Sequence, residues 1–262
     1  MGRPVRVLIV DDSSTIRMLV SKALSSEPDI EVVGRASSGG QALAKLPVVK
    51  PDVVTLDIEM PGMDGLQTLA AIKEREPALP VVMFSATTKR GATATLEALG
   101  RGAADYVTKP SGNGDLDQAL DAVRAQLAPK IRALAHRGHS FIPARVPPPR
   151  PRTTPRRKDL PVGVLAIGAS TGGPNALSKV LGGLPGLSVP AVIVQHMPPV
   201  FTDLLAQRLD ATTALRVREA RDGDVLEPGL VLVSPGDSHL TVVRRNNAVV
   251  AALTQDPPEN SC

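Results

Sequence analysis

A proline- and arginine-rich stretch in the middle of the 262-residue chain divides it into two segments that must fold separately. Between positions 129 and 160 the sequence has seven prolines and nine basic residues against one acid, Asp159. This composition favours extended, solvated backbone and cannot bury a core. We therefore predict an interdomain linker over 128–160, which separates a first domain at 1–127 from a second at 161–262. Each flanking segment is long enough to bury a core of its own.

The net charge of +4 and the pI near 9.5 originate in this linker, since the remainder of the chain is mildly acidic. A basic linker can also bind nucleic acid or an acidic membrane surface. The whole chain has only three Phe, one Tyr and no Trp, so the aromatic groups that stack on bases are scarce. We predict a plain linker and no nucleic-acid partner.

The rest of the composition narrows the class of protein. No apolar run approaches about 18 residues, and the N-terminus passes directly into a strand-like segment with acids, unlike a signal peptide. The only cysteine, Cys262, allows neither an internal disulfide nor a thiolate zinc site. These features predict a cytoplasmic protein without membrane insertion.

In the first domain, short apolar runs alternate with helix-like segments, which predicts a parallel sheet with helices on both faces. Functional groups gather at the carboxyl ends of such strands. The residues at these ends are Asp11 and Asp12, then Asp57, Ser85 and Lys109. Three carboxylates repel one another unless a cation lies among them, and Mg²⁺ prefers oxygen ligands. The pattern predicts a magnesium site.

The ordered motifs DD, LDIEMPGMDG, FSAT and YVTKP resemble the receiver domain of two-component response regulators, a (βα)5 flavodoxin-like fold, over residues 1–127. The resemblance implies that Asp57 is the phosphoacceptor and that Asp11, Asp12, Asp57 and the backbone carbonyl of Glu59 hold Mg²⁺. It further implies that Lys109 pairs with phosphoryl oxygens, that Ser85 bonds the phosphoryl group, and that the rotamer of Tyr106 reports this bond.

Taken singly, these residues have simpler explanations. An Asp at a strand end is more often a helix cap or turn residue, and a lone Tyr106 is more often ordinary packing. Asp64, in the turn PGMDG, is interpreted as turn chemistry. The ordered set of five positions, rather than any one residue, favours the phosphoacceptor site.

In the second domain, the segment VGVLAIGASTGGP places Ser170 after an apolar strand, among glycines and before a helix. Such a turn suits an anion cradle, a nucleophile elbow or a simple tight turn, and the local sequence leaves all three open. The next apolar strand, AVIVQ, is followed by His196 at the same predicted sheet edge. His196 is thus a candidate base for Ser170, and His239 is a weaker rival.

The motifs GASTGGP, QHMPP, FTDLLAQRLD, VREARDGD and PGDSHL resemble the catalytic domain of the CheB family of chemotaxis methylesterases. The resemblance implies a doubly wound, Rossmann-like α/β hydrolase domain without a cofactor. Ser170 would attack the γ-methyl ester of a receptor glutamate with His196 as general base, and specific glutamines would be deamidated by the same chemistry. The implied partners are the histidine kinase CheA as phosphodonor and methyl-accepting chemotaxis receptors as substrates.

The resemblance also implies further strands and a triad aspartate beyond position 262, so we expect a C-terminally truncated domain with impaired activity. Asp203, Asp222, Asp224 and Asp237 have no spacing that identifies a replacement. The alternative function is a phosphoacceptor binding module whose second domain is catalytically dead. A DNA-binding regulator would need a helix-turn-helix domain after the linker, and the α/β pattern argues against it.

Overall fold

The computed structural model describes residues 3–110, 115–135, 162–184 and 186–257. These fall into two compact units, one of residues up to 135 and one of residues from 162. Both units are α/β, which confirms the predicted fold class. The remainder of the predicted linker, 136–160, lies outside the described residues.

The first unit alternates strands and helices along the chain. Its elements are β1 (Val5–Val10), α1 (Ser14–Ser25), β2 (Ile30–Ala36), α2 (Gly39–Val49), β3 (Val53–Asp57), α3 (Gly65–Arg75), β4 (Val81–Ser85), α4 (Lys89–Gly100), β5 (Asp105–Thr108) and α5 (Leu116–Ala135). All strand pairs are parallel and the sheet order is β2-β1-β3-β4-β5, the flavodoxin-like arrangement.

The central strands explain why the sequence forms this sheet. Every residue of β3 and of β4 is buried, so both faces of these strands are covered by helices. Continuous apolar runs, rather than alternating ones, are typical of such strands. The sheet therefore carries Asp57, the last residue of β3, in a position fixed by neighbours on both sides.

Helix α5 corrects the predicted domain boundary. It continues to Ala135, so residues 128–135 form its last two turns instead of the start of a linker. Leu127, Ile131 and Leu134 repeat at helical spacing and are buried in the core of the first unit. Pro129 lies inside the helix. A proline costs about 3 kcal/mol in a helix interior, and burial of this apolar stripe offsets that cost.

The second unit has a parallel sheet and a separate hairpin. Its elements are β6 (Leu165–Ala169), α6 (Gly173–Gly182), β7 (Ala191–Gln195), α7 (Pro199–Thr212), β8 (Arg216–Glu219), β9 (Leu230–Val233), β10 (His239–Arg245) and β11 (Ala248–Thr254). The parallel sheet has the order β6-β7-β9-β8, and β10 pairs with β11 antiparallel. Apolar residues of β7, β9 and the hairpin share one core cluster.

Candidate functional sites

The first candidate site is an acidic cluster of Asp11, Asp12 and Asp57. Strands β1 and β3 are parallel neighbours with Val10 opposite Leu56, so the residues that close them meet at one edge. One carboxylate oxygen from each of the three lies within 4.8 Å of the others. Asp11 and Asp57 are almost fully buried, and Asp12 is exposed. The three acids therefore lie together at the strand ends, and their role as magnesium ligands stays a prediction.

Lys109 supplies the positive charge of this site. Its Nζ lies 2.7 Å from Oδ2 of Asp57 and 3.2 Å from Oδ2 of Asp11. The backbone amide of Lys109 donates to the carbonyl of Ser85 at 2.7 Å, which fixes the residue at the end of β5. One ammonium group therefore neutralises part of the charge of two buried carboxylates.

Burial dominates the ionisation of the cluster. It raises the pKa of Asp57 from 3.8 to about 6, against the opposing effect of Lys109. Burial likewise raises the pKa of Asp11. For Lys109, burial lowers the pKa, but the hydrogen bond and charge of Asp57 together with Asp11 outweigh it and raise the pKa overall. The cluster thus holds more negative charge than Lys109 compensates, as expected of a cation site.

Ser85 and Tyr106 are both buried, and they lie on the neighbouring strands β4 and β5. The hydroxyl of Ser85 donates to the carbonyl of Gly91 at 3.1 Å, so it is occupied by the backbone of α4. Tyr106 is a residue of β5, and 5% of its surface is exposed. The switching roles of Ser85 and Tyr106 stay predictions.

Glu59 and Asp64 belong to the loop that follows β3. The amide of Glu59 donates to Oδ1 of Asp57 at 3.3 Å, while the predicted role of its carbonyl stays untested. Asp64 is the N-cap of α3 and forms a capping box with Gln67, in agreement with its interpretation as turn chemistry. A Cβ on Gly65 would lie 2.2 Å from the carbonyl oxygen of Asp57, so only glycine fits there.

The second candidate site contains Ser170 and His196. Strands β6 and β7 are parallel with Ala169 opposite Gln195, and the amide of His196 donates to the carbonyl of Ala169 at 3.1 Å. The two candidate residues therefore follow paired strand ends, and both are exposed. Among the described residues, no hydrogen bond joins the two side chains, and none joins His196 to a carboxylate.

The Ser170 turn is tight. The amide of Gly173 donates to the carbonyl of Ser170 at 2.7 Å, and Gly172 has a φ of 72°, which glycine adopts without strain. Helix α6 starts immediately afterwards, so its positive end lies next to Ser170. The turn can stabilise a developing oxyanion or a bound anion.

Sequence reasoning missed Gln195. Its Nε2 donates to the carbonyl of Ser170 at 3.1 Å, and the side chain is buried. A Cβ on Gly173 would lie 1.9 Å from Oε1 of Gln195, so the glycine leaves room for the amide. Gln195 thus connects β7 to the Ser170 turn. A polar residue closing an apolar strand was the available signal.

His196 also lines a cavity of about 370 Å³ at the ends of β7 and β9. Ser234, Asp237 and His239 line the same cavity. Nε2 of His239 lies 3.0 Å from the carbonyl oxygen of Asp256, so this ring is held by the backbone.

Three of the four acids considered as substitutes for a triad aspartate accept hydrogen bonds from other residues. Asp222 accepts from the amide of Leu253, and Asp224 accepts from the amide of Arg221. Asp203 accepts from Gln207 on its own helix. Asp237 lines the cavity beside His196, without a hydrogen bond to it among the described residues.

Comparison with known proteins divides the chain in the same way. The sequence profile of the response regulator receiver domain matches residues 7–121, and that of the CheB methylesterase matches residues 165–262. None of the described helices combines the length and apolar character that crossing a bilayer requires.

Curated relatives match nearly the whole chain. A protein-glutamate methylesterase/protein-glutamine glutaminase of Trichodesmium erythraeum is 47% identical over 98% of this chain and 74% of the relative. A protein of the same name from a Nocardioides species is 48% identical over 98% and 72%. The crystal structure of the response regulator domain of Thermotoga maritima CheB is 42% identical, covers 51% of this chain and 98% of that one, and has a TM-score of 0.46. Nothing in these matches favours a binding module alone.

Proposed function

This chain belongs to the CheB methylesterase family and carries a receiver domain, and from that premise we propose that it is a phosphorylation-activated hydrolase. Its substrates are glutamate γ-methyl esters of chemotaxis receptors, and it deamidates specific receptor glutamines. The phosphodonor is the histidine kinase CheA, and the reaction takes place in the cytoplasm. The names of the curated relatives support this activity.

Asp57 is the phosphoacceptor of this proposal. Its carboxylate attacks phosphorus, the bond from phosphorus to the donor breaks, and Lys109 remains close enough to pair with a phosphoryl oxygen. Mg²⁺ fits the cluster because its donors are all oxygen and lie within 4.8 Å of one another. Asp11, Asp12, Asp57 and the Glu59 carbonyl would hold the ion, which supplies positive charge to the transferring phosphoryl group.

Ser170 is the nucleophile. His196 removes its proton, Oγ attacks the ester carbonyl, and the oxyanion is stabilised by amides of the Ser170 turn and the positive end of α6. Methanol leaves with a proton from the imidazolium. Water, activated by the same imidazole, then hydrolyses the acyl-enzyme to a free glutamate. Glutamine follows the same path with ammonia as the leaving group.

The observation that carries this proposal is the backbone bond between His196 and Ala169, which sets the candidate base beside the candidate nucleophile on paired strand ends. A serine and a histidine at such positions are the minimum for acyl transfer. Their side chains are exposed, so a receptor segment can reach them.

The test is methanol release from methylated receptor membranes, with and without a phosphodonor and Mg²⁺. We expect Ser170→Ala to abolish release and Asp57→Asn to abolish only its stimulation. Ser178→Ala is the matched control, since this serine lies on α6 and its hydroxyl donates to the carbonyl of Pro174. Release that persists in Ser170→Ala would overturn the assignment of the nucleophile.

A further inference from the structure

Lys130 falls within the predicted linker, but it lies in the last two turns of α5. Its side chain contacts residues of β5 in the first unit. Its Nζ donates to the carbonyl of Tyr106 at 2.7 Å and to Oδ1 of Asp105 at 3.0 Å. The same Nζ lies 5.0 Å from the centroid of the Tyr106 ring. One ammonium group thus contacts the backbone, the ring and the preceding acid of a single site.

The side chains of Asp105 and Lys130 both contact Tyr106. The amide of Tyr106 donates to Oδ1 of Asp105 at 2.7 Å, the same oxygen that accepts from Lys130. Asp105 is buried, and 22% of the Lys130 side chain is exposed. A mostly buried ion pair rarely adds much stability compared with apolar packing, whereas in some proteins such pairs select one arrangement over its alternatives.

These contacts couple the Tyr106 ring to α5. If the ring leaves its buried position, it loses the attraction of the ammonium group. If Lys130 follows the ring, its bonds to Asp105 and to the Tyr106 carbonyl must break. The ring and this part of α5 therefore move together or lose favourable contacts, which is the physical requirement for coupling.

We propose that Lys130 is a positioning residue that holds the Tyr106 ring in its buried position and transmits its movement to the last two turns of α5. This inference rests on the proposed function, in which Tyr106 responds to phosphorylation of Asp57. Helix α5 is the element that leads along the chain towards the catalytic domain. Lys130 thus links the receiver's response to the segment that joins the domains.

Arg132 provides a matched comparison on the same turns of α5. It pairs with Asp29 at 2.7 Å and with Glu27, so it also fastens α5 to the rest of the unit. Its ion-pair partners both lie in the loop between α1 and β2, whereas Asp105, the ion-pair partner of Lys130, lies in β5. Lys130→Met and Arg132→Met each remove one cation and one tether, but only the first change reaches the ring.

The first measurement uses tyrosine fluorescence of the full chain without Mg²⁺ or phosphodonor. Because the chain has one Tyr and no Trp, this emission comes from Tyr106 alone. We expect Lys130→Met to raise the acrylamide quenching constant about twofold or more, with recovery in Lys130→Arg. Arg132→Met should stay near the wild-type value. Equal quenching in the two Met variants would show that Lys130 is only a tether and would overturn the proposal.

The second measurement is hydrogen exchange with and without Mg²⁺ and beryllofluoride, which mimics a phosphoryl group. In the wild type, the mimic should change protection of residues 85–91 and of 128–135. In Lys130→Met only the first response should remain. A response of 128–135 that survives in Lys130→Met would contradict the coupling. If Lys130→Met does not fold, Lys130→Gln takes its place, because it keeps a donor for the Tyr106 carbonyl but lacks the charge.

The two proposals fail differently. A wild-type chain whose residues 85–91 do not respond to the mimic would contradict the proposed phosphoacceptor function. The quenching comparison would still decide the position of the Tyr106 ring, because it is made without Mg²⁺ and without a phosphodonor.

Discussion

The ionised carboxylate of Asp57 should destabilise the folded receiver at neutral pH. The substitution Asp57→Asn should therefore raise the free energy of unfolding. Burial raises the pKa of Asp57 from 3.8 to about 6. A folded-state pKa above the unfolded value means that the native protein binds more protons between the two values. The contribution of this group to stability is therefore fully present below about pH 4 and is lost as pH rises through about 6.

The magnitude follows from the size of this shift. About two pH units at 1.36 kcal/mol each correspond to about 3 kcal/mol. The pKa already includes the attraction of Lys109, so this figure is net of the ion pair. Asparagine resembles the neutral carboxyl group in shape. We expect Asp57→Asn to be more stable than the wild type by about 1–3 kcal/mol at pH 7.5 and nearly equal to it near pH 4.

The assay is urea unfolding in EDTA, followed by the fluorescence of Tyr106, which reports on the receiver because it is the only tyrosine. Asp12→Asn is the control, since Asp12 belongs to the same cluster but is exposed. It should change stability much less. The reasoning is refuted if Asp57→Asn is no more stable than the wild type at pH 7.5, or if the difference does not shrink towards pH 4.

Further predictions concern α5, the Ser170 turn and the cation site. Ile131→Ala should lower the stability of the receiver by about 2–5 kcal/mol in the same assay, because Ile131 is fully buried; no change would mean that 128–135 is not part of the core. Gly173→Ala should sharply lower methanol release because its Cβ would collide with Gln195, whereas Gly182→Ala on the same helix meets open space; equal activity of the two variants would contradict the role of the turn. Mg²⁺ affinity, measured by calorimetry, should fall as pH drops through about 6, because protons compete for Asp57; a flat profile would contradict this.

The receiver site could be predicted from sequence because its residues lie at the ends of parallel strands. Asp11 and Asp57 close buried apolar runs, and parallel strands bring such ends to one edge. No knowledge of helix packing is required for this step. Lys109 follows the same rule, since it comes one residue after β5 ends at Thr108. Strand β5 pairs in parallel with β4, so Lys109 lies at the same edge of the sheet.

The end of α5 could not be predicted in the same way. Pro129 and the nearby basic residues have the composition of a linker, whereas Ile131 and Leu134 continue the apolar stripe of the helix. The helix continues to Ala135 because Ile131 and Leu134 are buried in the tertiary structure, which outweighs the local preference for a linker. Gln195 was missed for a related reason. Its importance depends on its hydrogen bond to Ser170, which is 25 residues away, and no local pattern shows such a contact.

Within the described sheets, β3 lies between β1 and β4, whereas β6 pairs only with β7. Asp57 is thus held by strands on both sides, and Ser170 follows a strand held on one side. Local opening is easier at the border of a sheet than at its centre. Mild heat or denaturant should therefore abolish ester hydrolysis before the chain loses its ability to accept a phosphoryl group, which leaves a range of conditions where it still senses but no longer hydrolyses.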